Sequence, residues 1–533
     1  MKIRVILWAL TCSFVIDIHL CHIYTSSHGV HNHLELERKI LDSLTDYIRR
    51  QEKNGLHFDS SIKEAIENIE TKNNVSLSNE DFATPISVYH VLSRATRDWV
   101  TLERKMTCEE DEDCPVLTGA DVIEVVKRKS GYRWPEADDI NLASRAILNV
   151  WNVYDLDLET VLTGKVGHVS NDAIDADAVF TIANAARDFG LLYEAIKWFE
   201  YLAENLSKYD SDHDVKHSAL VRRLALTYKE YGITSKGVQL LEIFSKIDPD
   251  NKGVTSDLQF LRAHSGRDDI TEVTRFDNEN VADRDVQEFE QLCRSSVEEK
   301  EGNLSKFHCH LTPLLDCYGY VQVEVLSRRP RIEIYYDVIN EKEAEKIKTY
   351  GENAFQQKYD MFPYKDGKRA DFRHRSGLLC EWNERYQLLR NVSRRLERMT
   401  KFHIYNVGDV TSSECYQMEN IGPGVPTRSW TDFWDNDYQP YPFAGNRLAT
   451  VMIQLSNPTY GGTVVFPKMD ISAHIQKGSA IVWENLKQNG KPSPKSTHQY
   501  CPSIVGPQLG LFKNFLYSNQ LFRRPCPRQQ RRY

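Results

Sequence analysis

Beyond its N-terminal segment, the sequence has no apolar run long enough to cross a membrane, which excludes a later transmembrane helix. Basic residues are not in excess. The 67 lysines and arginines are outnumbered by 76 aspartates and glutamates, so the formal net charge is −9. A chain of this charge is not typical of nucleic-acid-binding proteins. The C-terminal residues do not form a Lys-Asp-Glu-Leu-type retention signal, so retention in a secretory compartment would need a partner.

The N-terminus is typical of a secretory signal. Lys2 and Arg4 precede an apolar core from Val5 to Ile16, and Asp17 interrupts that core before it could span a bilayer. We therefore expect residues 1–21 to be a cleaved signal peptide; the alternative is an uncleaved signal anchor. The secretory route predicts N-linked glycans at four Asn-x-Ser sequons, which are Asn74, Asn205, Asn303 and Asn391.

The same route makes disulfides expected among the 11 cysteines. Cys108 and Cys114 flank an acidic turn and form one candidate pair. Cysteine spacing alone does not fix any connectivity.

A chain of 533 residues is too long for one core, and we expect about three domains. Residues 34–50 are predicted to be helical, with an apolar heptad and a solvated flank that includes Glu37. A second helix is predicted after Pro85. Its apolar stripe contains Val88, Val91, Leu92, Ala95, Trp99 and Leu102. Both stripes fit either core packing or an interface between copies of the chain.

Residues 173–249 contain a helical repeat with inter-helix turns at Gly190 and Gly232. Small or apolar residues recur at matching offsets in its two units. They are Ala183, Ala186, Ala195, Phe199 and Leu202, then Ala225, Tyr228, Gly237, Leu241 and Phe244. This is a tetratricopeptide pattern, and such helix pairs stack into a concave surface that usually binds a peptide.

The C-terminal third alternates short β-rich runs with Gly and Pro turns, which predicts a barrel or jelly roll beginning with a strand at Arg331–Tyr336. The other predicted strands are Leu448–Leu455, Val464–Phe466, Ala480–Trp483 and Leu509–Phe515. Residues 266–330 are polar and are expected to be a linker. On the predicted strands, a carboxylate (Asp432) and a distant histidine (His498) suit a 2-His-1-carboxylate iron site.

The order of motifs in this region resembles the collagen prolyl 4-hydroxylase alpha subunit, an Fe(II)- and 2-oxoglutarate-dependent dioxygenase. The motifs are Gly461-Gly462-Thr463-Val464-Val465-Phe466-Pro467, Gln476-Lys477-Gly478-Ser479-Ala480, His498 and Phe522-Arg523-Arg524-Pro525-Cys526. The resemblance implies a multidomain α+β chain whose domains follow the family's order. These are a helical dimerisation domain (22–150), a tetratricopeptide-like peptide-binding domain (170–265), the linker, and a double-stranded β-helix or jelly roll (331–533).

The resemblance also implies site residues. Asp432 and His498 match the family's iron ligands, but Trp430 stands where the first histidine is expected and Gln508 where a lysine pairs with 2-oxoglutarate. Indole has no free lone pair for a metal, and an amide cannot neutralise a carboxylate. Asp435, Asp437, Lys513 and Arg447 are nearby candidates to supply replacement ligands or a replacement cation.

By the same resemblance, Tyr193, Trp198 and Tyr228 would hold a proline-rich peptide, while Arg187 and Leu192 depart from the tyrosines of vertebrate members. The disulfides Cys293–Cys309 and Cys501–Cys526 are implied as well. Ascorbate would be a further cofactor. The implied partners are protein disulfide isomerase and collagen-like chains, in an oligomer in the endoplasmic reticulum lumen.

Two functions follow as alternatives. One is a procollagen-proline 4-dioxygenase alpha subunit that tolerates Trp430 and Gln508. The other is a pseudo-hydroxylase that serves as a peptide-binding or assembly subunit, favoured because two site residues with different roles are lost. A third hypothesis is a dioxygenase fold that has adopted another metal.

Overall fold

A computed structural model of the chain describes residues 23–78, 84–107, 118–209, 213–264, 272–276, 281–298, 308–314, 319–355, 376–379, 386–404, 411–434 and 443–520. The predicted signal peptide and the Cys108–Cys114 pair lie outside these residues. No helix in these ranges is long and apolar enough to cross a membrane.

The helices are α1 (Ser27–Lys53), α2 (Ser60–Ser78), α3 (Pro85–Thr96), α4 (Asp98–Lys105), α5 (Gly119–Ser130), α6 (Ala137–Val153), α7 (Leu158–Leu162), α8 (Ala176–Asp188), α9 (Leu192–Asn205), α10 (His217–Tyr231), α11 (Thr234–Ile247), α12 (Lys252–Ala263), α13 (Val281–Glu298), α14 (Glu341–Phe355) and α15 (Gln387–Thr400).

The strands are β1 (Lys165–Val166), β2 (Val169–Ser170), β3 (His308–Pro313), β4 (Tyr320–Arg328), β5 (Arg331–Tyr335), β6 (Ser376–Leu379), β7 (Tyr416–Ile421), β8 (Arg447–Gln454), β9 (Tyr460–Gly461), β10 (Val464–Phe466), β11 (Ile471–Ala473), β12 (Ala480–Glu484), β13 (Gln499–Tyr500), β14 (Ser503–Val505) and β15 (Gln508–Leu516).

The N-terminal helices pack around the predicted apolar stripes. Helix α1 begins at Ser26, whose hydroxyl accepts a hydrogen bond from the Gly29 amide at 3.0 Å. Leu41 and Ile48 are buried in a cluster shared with α2, α4 and α5. Burial within one chain confirms the core interpretation of the stripes.

Two details of this region differ from the prediction. Glu37 was expected on a solvated flank, but it is fully buried and accepts hydrogen bonds from Arg94 and Trp99. The helix after Pro85 is two helices that meet at Arg97, whose φ of −116° is far from the usual helical value of about −63°. Trp99 and Leu102 still continue the buried stripe across this break.

Helices α8 to α12 form the predicted repeat region, and the tetratricopeptide class itself remains a prediction. Gly190 and Gly232 adopt φ of +75° and +104°, a conformation that favours glycine, and they connect α8 to α9 and α10 to α11. Gly237 lets α11 cross α10 closely, since a Cβ there would lie 2.6 Å from the Ala225 carbonyl oxygen.

The C-terminal region is built on an eight-stranded antiparallel sheet with the order β3-β4-β5-β12-β8-β15-β7-β6. A three-stranded sheet, β11-β10-β13, shares a buried cluster with one face of it, including Phe466, Met452 and Trp483. Residues of α14 and α15 pack on the other face. This is a large antiparallel sheet with a smaller one, and the jelly-roll assignment remains a prediction.

The strand positions after residue 447 agree closely with the sequence pattern, but the linker prediction fails. Residues 266–330 contain α13 and the β3–β4 pair, and the large sheet therefore starts before Arg331. The reason is that α13 packs against α6 and against β9, β10 and β11, so this charged segment is held by contacts from both ends of the chain.

The helical region and the small strands share one hydrophobic core. Val465, Ile504 and Val505 belong to the same buried cluster as residues of α3, α6, α8 and α9. The Tyr154 hydroxyl donates to the Pro502 carbonyl at 2.7 Å across this boundary.

The disulfide found here differs from the implied pairings. Cys293 on α13 is bonded to Cys501, 208 residues away, both cysteines are buried, and Cys309 is a free, exposed thiol. Packing of α13 against β9–β11 explains this, because the Cys501 amide bonds the Thr463 carbonyl beside those strands. Cys526 lies outside the described residues, and Cys415 is also disulfide-bonded.

Candidate active site

The two candidate ligands, Asp432 and His498, both contact Trp483. The indole Nε1 of Trp483 donates to Asp432 Oδ2 at 3.0 Å, and its ring centroid is 4.8 Å from that of His498. Both ligands are buried, at 8% exposure for Asp432 and 2% for His498. The fold thus brings together two residues that are 66 positions apart in sequence (498 − 432).

The orientation of His498 leaves one ring nitrogen available as an acceptor. Nδ1 lies 3.1 Å from the Ser496 carbonyl oxygen, so Nδ1 must carry the hydrogen. Nε2 then holds the lone pair. A histidine oriented in this way by a backbone carbonyl is typical of metal sites.

Position 430 is placed directly beside His498. The Trp430 amide donates to the His498 carbonyl at 2.8 Å, and the His498 amide donates back at 3.0 Å. Directly opposed residues of an antiparallel pair have their side chains on the same face. The backbone therefore presents positions 430 and 498 together, but position 430 carries an indole that is 39% exposed.

These residues do not fit a three-ligand iron centre. The indole nitrogen of Trp430 is a hydrogen-bond donor without a lone pair for a metal. Within the part of the chain that the structure describes, no group of three or more His, Cys, Asp or Glu side chains could hold a metal ion. Asp435 and Asp437 lie outside that part.

The Asp432 carboxylate is engaged in a hydrogen-bond network. Its Oδ2 accepts from Thr450 Oγ1 at 2.7 Å as well as from Trp483, and Asn485 Nδ2 donates to the same Thr450 hydroxyl at 2.9 Å. All three neighbours are buried. Asp432 thus connects the loop after Trp430 to β8 and β12.

Gln508 is buried at the start of β15, and its amide Nε2 donates to the Gly462 carbonyl at 2.9 Å. Lys513 lies five residues further on, which places it on the opposite face of the strand. Its ammonium sits 4.1 Å from the centroid of the Tyr416 ring, a residue of the helix-covered core. Lys513 therefore does not supply a cation near Gln508.

Arg447 does not supply a cation near Gln508 either. Its guanidinium pairs with the Glu414 carboxylate through Nε and Nη2, both at 2.7 Å, and Nη1 lies 3.3 Å from the Asp432 carbonyl oxygen. Burial raises the pKa of nearby Tyr500 well above its ordinary value, and the charges of Glu419 and Asp432 raise it further. Lys513 and Arg447, the two candidate replacement cations, are thus both engaged with other groups.

The predicted peptide-binding residues are distributed differently from the expectation. Trp198 is fully buried and packs edge-on against Trp151 at 6.0 Å, so its ring belongs to the core of the repeat. Tyr228 is also buried, with its hydroxyl bonded to Glu200. Tyr193 is half-buried and is the member of the three that remains accessible.

Two ionic contacts that the sequence did not predict lie at the helix ends of the repeat. Arg187 connects α8 to α10 by donating from Nε to Glu230 at 2.8 Å. Glu194, at the start of α9, accepts from Arg275. These partners are 43 and 81 residues apart, so no local pattern could have paired them.

Three of the four glycosylation sequons lie in described residues. Asn74 is exposed on α2, whereas Asn205 and Asn391 are half-buried and make local hydrogen bonds. Asn303 lies outside the described residues.

Comparisons with known proteins agree with the resemblance in the sequence. Residues 26–168 match the family model described as prolyl 4-hydroxylase alpha-subunit, N-terminal region. The prolyl 4-hydroxylase subunit alpha-1 of Caenorhabditis elegans is 24% identical over 541 residues, covering 97% of this chain and 93% of that protein. The subunit alpha-2 of Gallus gallus is 24% identical over 549 residues, covering 98% of each.

Among solved structures, a viral collagen prolyl hydroxylase from Paramecium Bursaria Chlorella virus-1, in a 2OG complex, aligns with 16% identity and a TM-score of 0.27. It covers 35% of this chain and 95% of the viral chain. A score that low is not evidence of a shared fold.

Proposed function

Since the chain is a relative of the prolyl 4-hydroxylase alpha subunits and resembles them along nearly its whole length, we propose that it is a non-hydroxylating subunit of that type. In this proposal it binds collagen-like or proline-rich chains and takes part in assembly with protein disulfide isomerase in the endoplasmic reticulum lumen. It does so without iron-dependent turnover. The secretory-type N-terminus supports the location.

The observation that carries the proposal is Trp430. Its backbone is paired with His498 so that a side chain at position 430 lies beside the histidine, yet this side chain cannot ligate iron. Two ligands on one metal, in a network where Asp432 already accepts two hydrogen bonds, would hold Fe(II) weakly.

Gln508 supports the same conclusion for 2-oxoglutarate. A buried carboxylate without a cationic partner costs several kcal/mol, and each ~1.4 kcal/mol is tenfold in affinity. Lys513 and Arg447 are committed to other groups, as their contacts with Tyr416 and Glu414 indicate. We therefore expect 2-oxoglutarate affinity to be lower by at least a hundredfold than in a version carrying Gln508→Lys.

An active hydroxylase is the second candidate, and one observation favours it. Asp432 and His498 remain together around Trp483, and His498 still presents a lone pair at Nε2. In this case Fe(II), 2-oxoglutarate and ascorbate would be the cofactors. The site would have to take its third ligand from water or from another residue.

The test is succinate release from 2-oxoglutarate by the full-length protein co-expressed with protein disulfide isomerase. Fe(II), ascorbate and a proline-rich peptide are present in each reaction. We expect no release above background by the native protein, and measurable release by the double variant Trp430→His/Gln508→Lys. The reason is that a histidine at position 430 would lie beside His498 and add an iron ligand. A lysine at position 508 would add a cation for the 2-oxoglutarate carboxylate.

The control is the same double variant carrying His498→Ala, which must be silent. Native turnover that disappears in His498→Ala would establish the hydroxylase and overturn the proposal. Binding of the proline-rich peptide to the native protein, measured by calorimetry, tests the remaining role. If that binding is absent, the subunit does not act on proline-rich chains.

A further inference from the structure

A short stretch of this chain, residues 272–276, lies against the helical repeat and contacts it through its backbone and side chains. Both backbone polar groups of Thr274 bond one side chain: the Tyr231 hydroxyl donates to the Thr274 carbonyl at 2.6 Å and accepts from its amide at 2.9 Å. Val273 packs on the edge of the core cluster. We call residues 272–276 the strap.

The strap places one arginine between two carboxylates. Arg275 donates from Nη1 to Glu290 Oε2 at 2.9 Å and also bonds the second Glu290 oxygen through Nη2. Its Nε lies 3.3 Å from Glu194 Oε1, and Nη1 lies 3.4 Å from the Asn152 carbonyl oxygen. We call Glu194, Glu290 and the Asn152 carbonyl the guanidinium pocket.

The guanidinium pocket is built from three elements that do not depend on the strap. Asn152 is on α6, Glu194 on α9 and Glu290 on α13. Helix α13 is fixed by the Cys293–Cys501 disulfide one turn after Glu290 and by its packing on α6. Asn152 Nδ2 also donates to Glu194 at 2.8 Å and orients that carboxylate.

The guanidinium pocket contains two buried carboxylates and therefore favours a cationic ligand. Glu290 is 2% exposed and Glu194 is 5% exposed, and both carboxylates contact the Arg275 guanidinium. The charge of Arg294 also acts on Glu290. Burial raises the pKa of Glu290, although the charge of Arg275 opposes this. The guanidinium bonds four oxygens here, two of Glu290, one of Glu194 and the Asn152 carbonyl, whereas an ammonium has only three N–H donors.

We infer that the turn edge of the repeat is a binding site for a peptide segment bearing an arginine, and that the strap fills this site in cis. The Tyr231 hydroxyl would hydrogen-bond the backbone of the bound peptide, and the guanidinium pocket would bind its arginine side chain. The inference deepens the proposed function, because it rests on the peptide-binding role of the repeat and names the ligand chemistry at one end of it.

A tethered strap competes at an effective concentration on the order of millimolar, so the native protein will bind free ligand weakly. The test therefore weakens the cis occupant. The probe is a capped synthetic peptide with the sequence of residues 272–276, Glu-Val-Thr-Arg-Phe, and a second peptide has citrulline in place of arginine. Binding is measured by calorimetry on the full-length protein.

We expect Arg275→Gln to bind the arginine peptide at least tenfold more tightly than the native protein does, and to bind the citrulline peptide no better than the native protein. Arg275→Lys keeps a cation in the pocket and is the second variant should Arg275→Gln fail to fold; it should show the same preference more weakly. Arg128→Gln, at an exposed arginine paired with Glu124, is the matched control and should behave like the native protein.

Equal binding of the two peptides, or a folded Arg275→Lys protein that gains no affinity for the arginine peptide, would overturn the inference. A proline-rich peptide is titrated in parallel. If the proline-rich peptide does not bind but Arg275→Gln binds the arginine peptide, the proposed function is rejected and the guanidinium pocket is supported. If the proline-rich peptide binds but Arg275→Gln does not bind the arginine peptide, only the guanidinium pocket is rejected.

Discussion

At the scale of single residues, the candidate site has well-defined hydrogen bonds but carries an indole at position 430 and an amide at position 508. Trp430 occupies a backbone position that faces His498, and Gln508 is buried where its amide bonds the Gly462 carbonyl. Asp432 and His498 are still held by Trp483 and Ser496. The hydrogen bonds around positions 430 and 508 are thus in place, while an indole is not a metal ligand and an amide is not a cation.

Glu37 is the residue for which burial changes the expectation most. It accepts from Arg94 Nη2 at 2.6 Å, from Trp99 Nε1 at 2.8 Å and from Asn73 Nδ2 at 2.9 Å, all in the core of the N-terminal helices. Burial by itself raises the pKa of Glu37, but the charges of His33 and Arg94 and their hydrogen bonds outweigh it, so the pKa is lowered below its ordinary 4.5.

Because the folded-state pKa of Glu37 is lowered, its contribution to stability is present above about pH 4.5 and is lost as pH falls below that value. We predict that Glu37→Gln destabilises the protein by about 3 kcal/mol at pH 7, since it leaves Arg94 buried without its partner. The measurement is the urea midpoint at pH 7 and pH 4. The gap between native protein and variant should narrow at pH 4.

The control for this prediction is Glu64→Gln on the exposed face of α2. At both pH values its free energy of unfolding should lie within about 0.5 kcal/mol of that of the native protein. A Glu37→Gln protein as stable as the control at pH 7 would contradict the role assigned to the buried carboxylate.

At the scale of elements, glycines set how the repeat helices meet. The left-handed turns at Gly190 and Gly232 end their helices, while Gly237 allows α11 to lie on the Ala225 carbonyl of α10. The tetratricopeptide pattern in the sequence predicted these three positions from their offsets. The ionic contacts between helices, such as Arg187 with Glu230, have no such pattern.

We predict that Gly237→Ala destabilises the protein by about 1–3 kcal/mol, because the new Cβ would lie 2.6 Å from a backbone oxygen that cannot move alone. Differential scanning calorimetry would show a lower Tm. Gly253→Ala is the matched control, since its Cβ meets only the flexible guanidinium end of Arg222. It should be neutral or stabilising by up to about 1 kcal/mol, as expected from helix propensity.

At the scale of the whole molecule, the C-terminal sheets and the N-terminal helices are joined by shared core and by α13. The cluster that contains Val465 and Ile504 extends into α6 and α8, and the Cys293–Cys501 disulfide ties α13 to the strand region that carries His498. The shared core and the disulfide therefore join the N-terminal helices to the strands that carry the candidate site.

We predict that a non-reducing peptide map of the native protein contains a peptide pair linked through Cys293 and Cys501. Closing a loop of 208 residues stabilises the folded state by on the order of 5 kcal/mol in a chain-entropy estimate, so Cys293→Ser should lower the Tm markedly. Cys309→Ser, at a free exposed thiol, is the control and should change little. A map with a Cys293–Cys309 pair would contradict the connectivity.

The features that the sequence predicts correctly are those that depend on residues close together in the chain. The strands at Val464–Phe466 and Ala480–Trp483, the turns at Gly190 and Gly232, and the buried stripe from Val88 to Leu102 follow from periodicity and turn chemistry, which are local. The reciprocal hydrogen bonds between Asn340 and Glu343 at the start of α14 are equally local, since the two residues are three apart.

The sequence by itself determined the alternation of elements, the resemblance to prolyl 4-hydroxylase alpha subunits, and the chemical identity of Trp430 and Gln508, because each is set by residue type and order. Only the tertiary structure decided that Glu37 and Trp198 are buried, that Lys513 lies on the face of β15 opposite Gln508, and that Cys293 meets Cys501. It also decided that Arg275 fills an acidic pocket. The physical reason is the same in each case: these features depend on contacts between residues that are far apart in the chain, and packing rather than any local pattern brings them together.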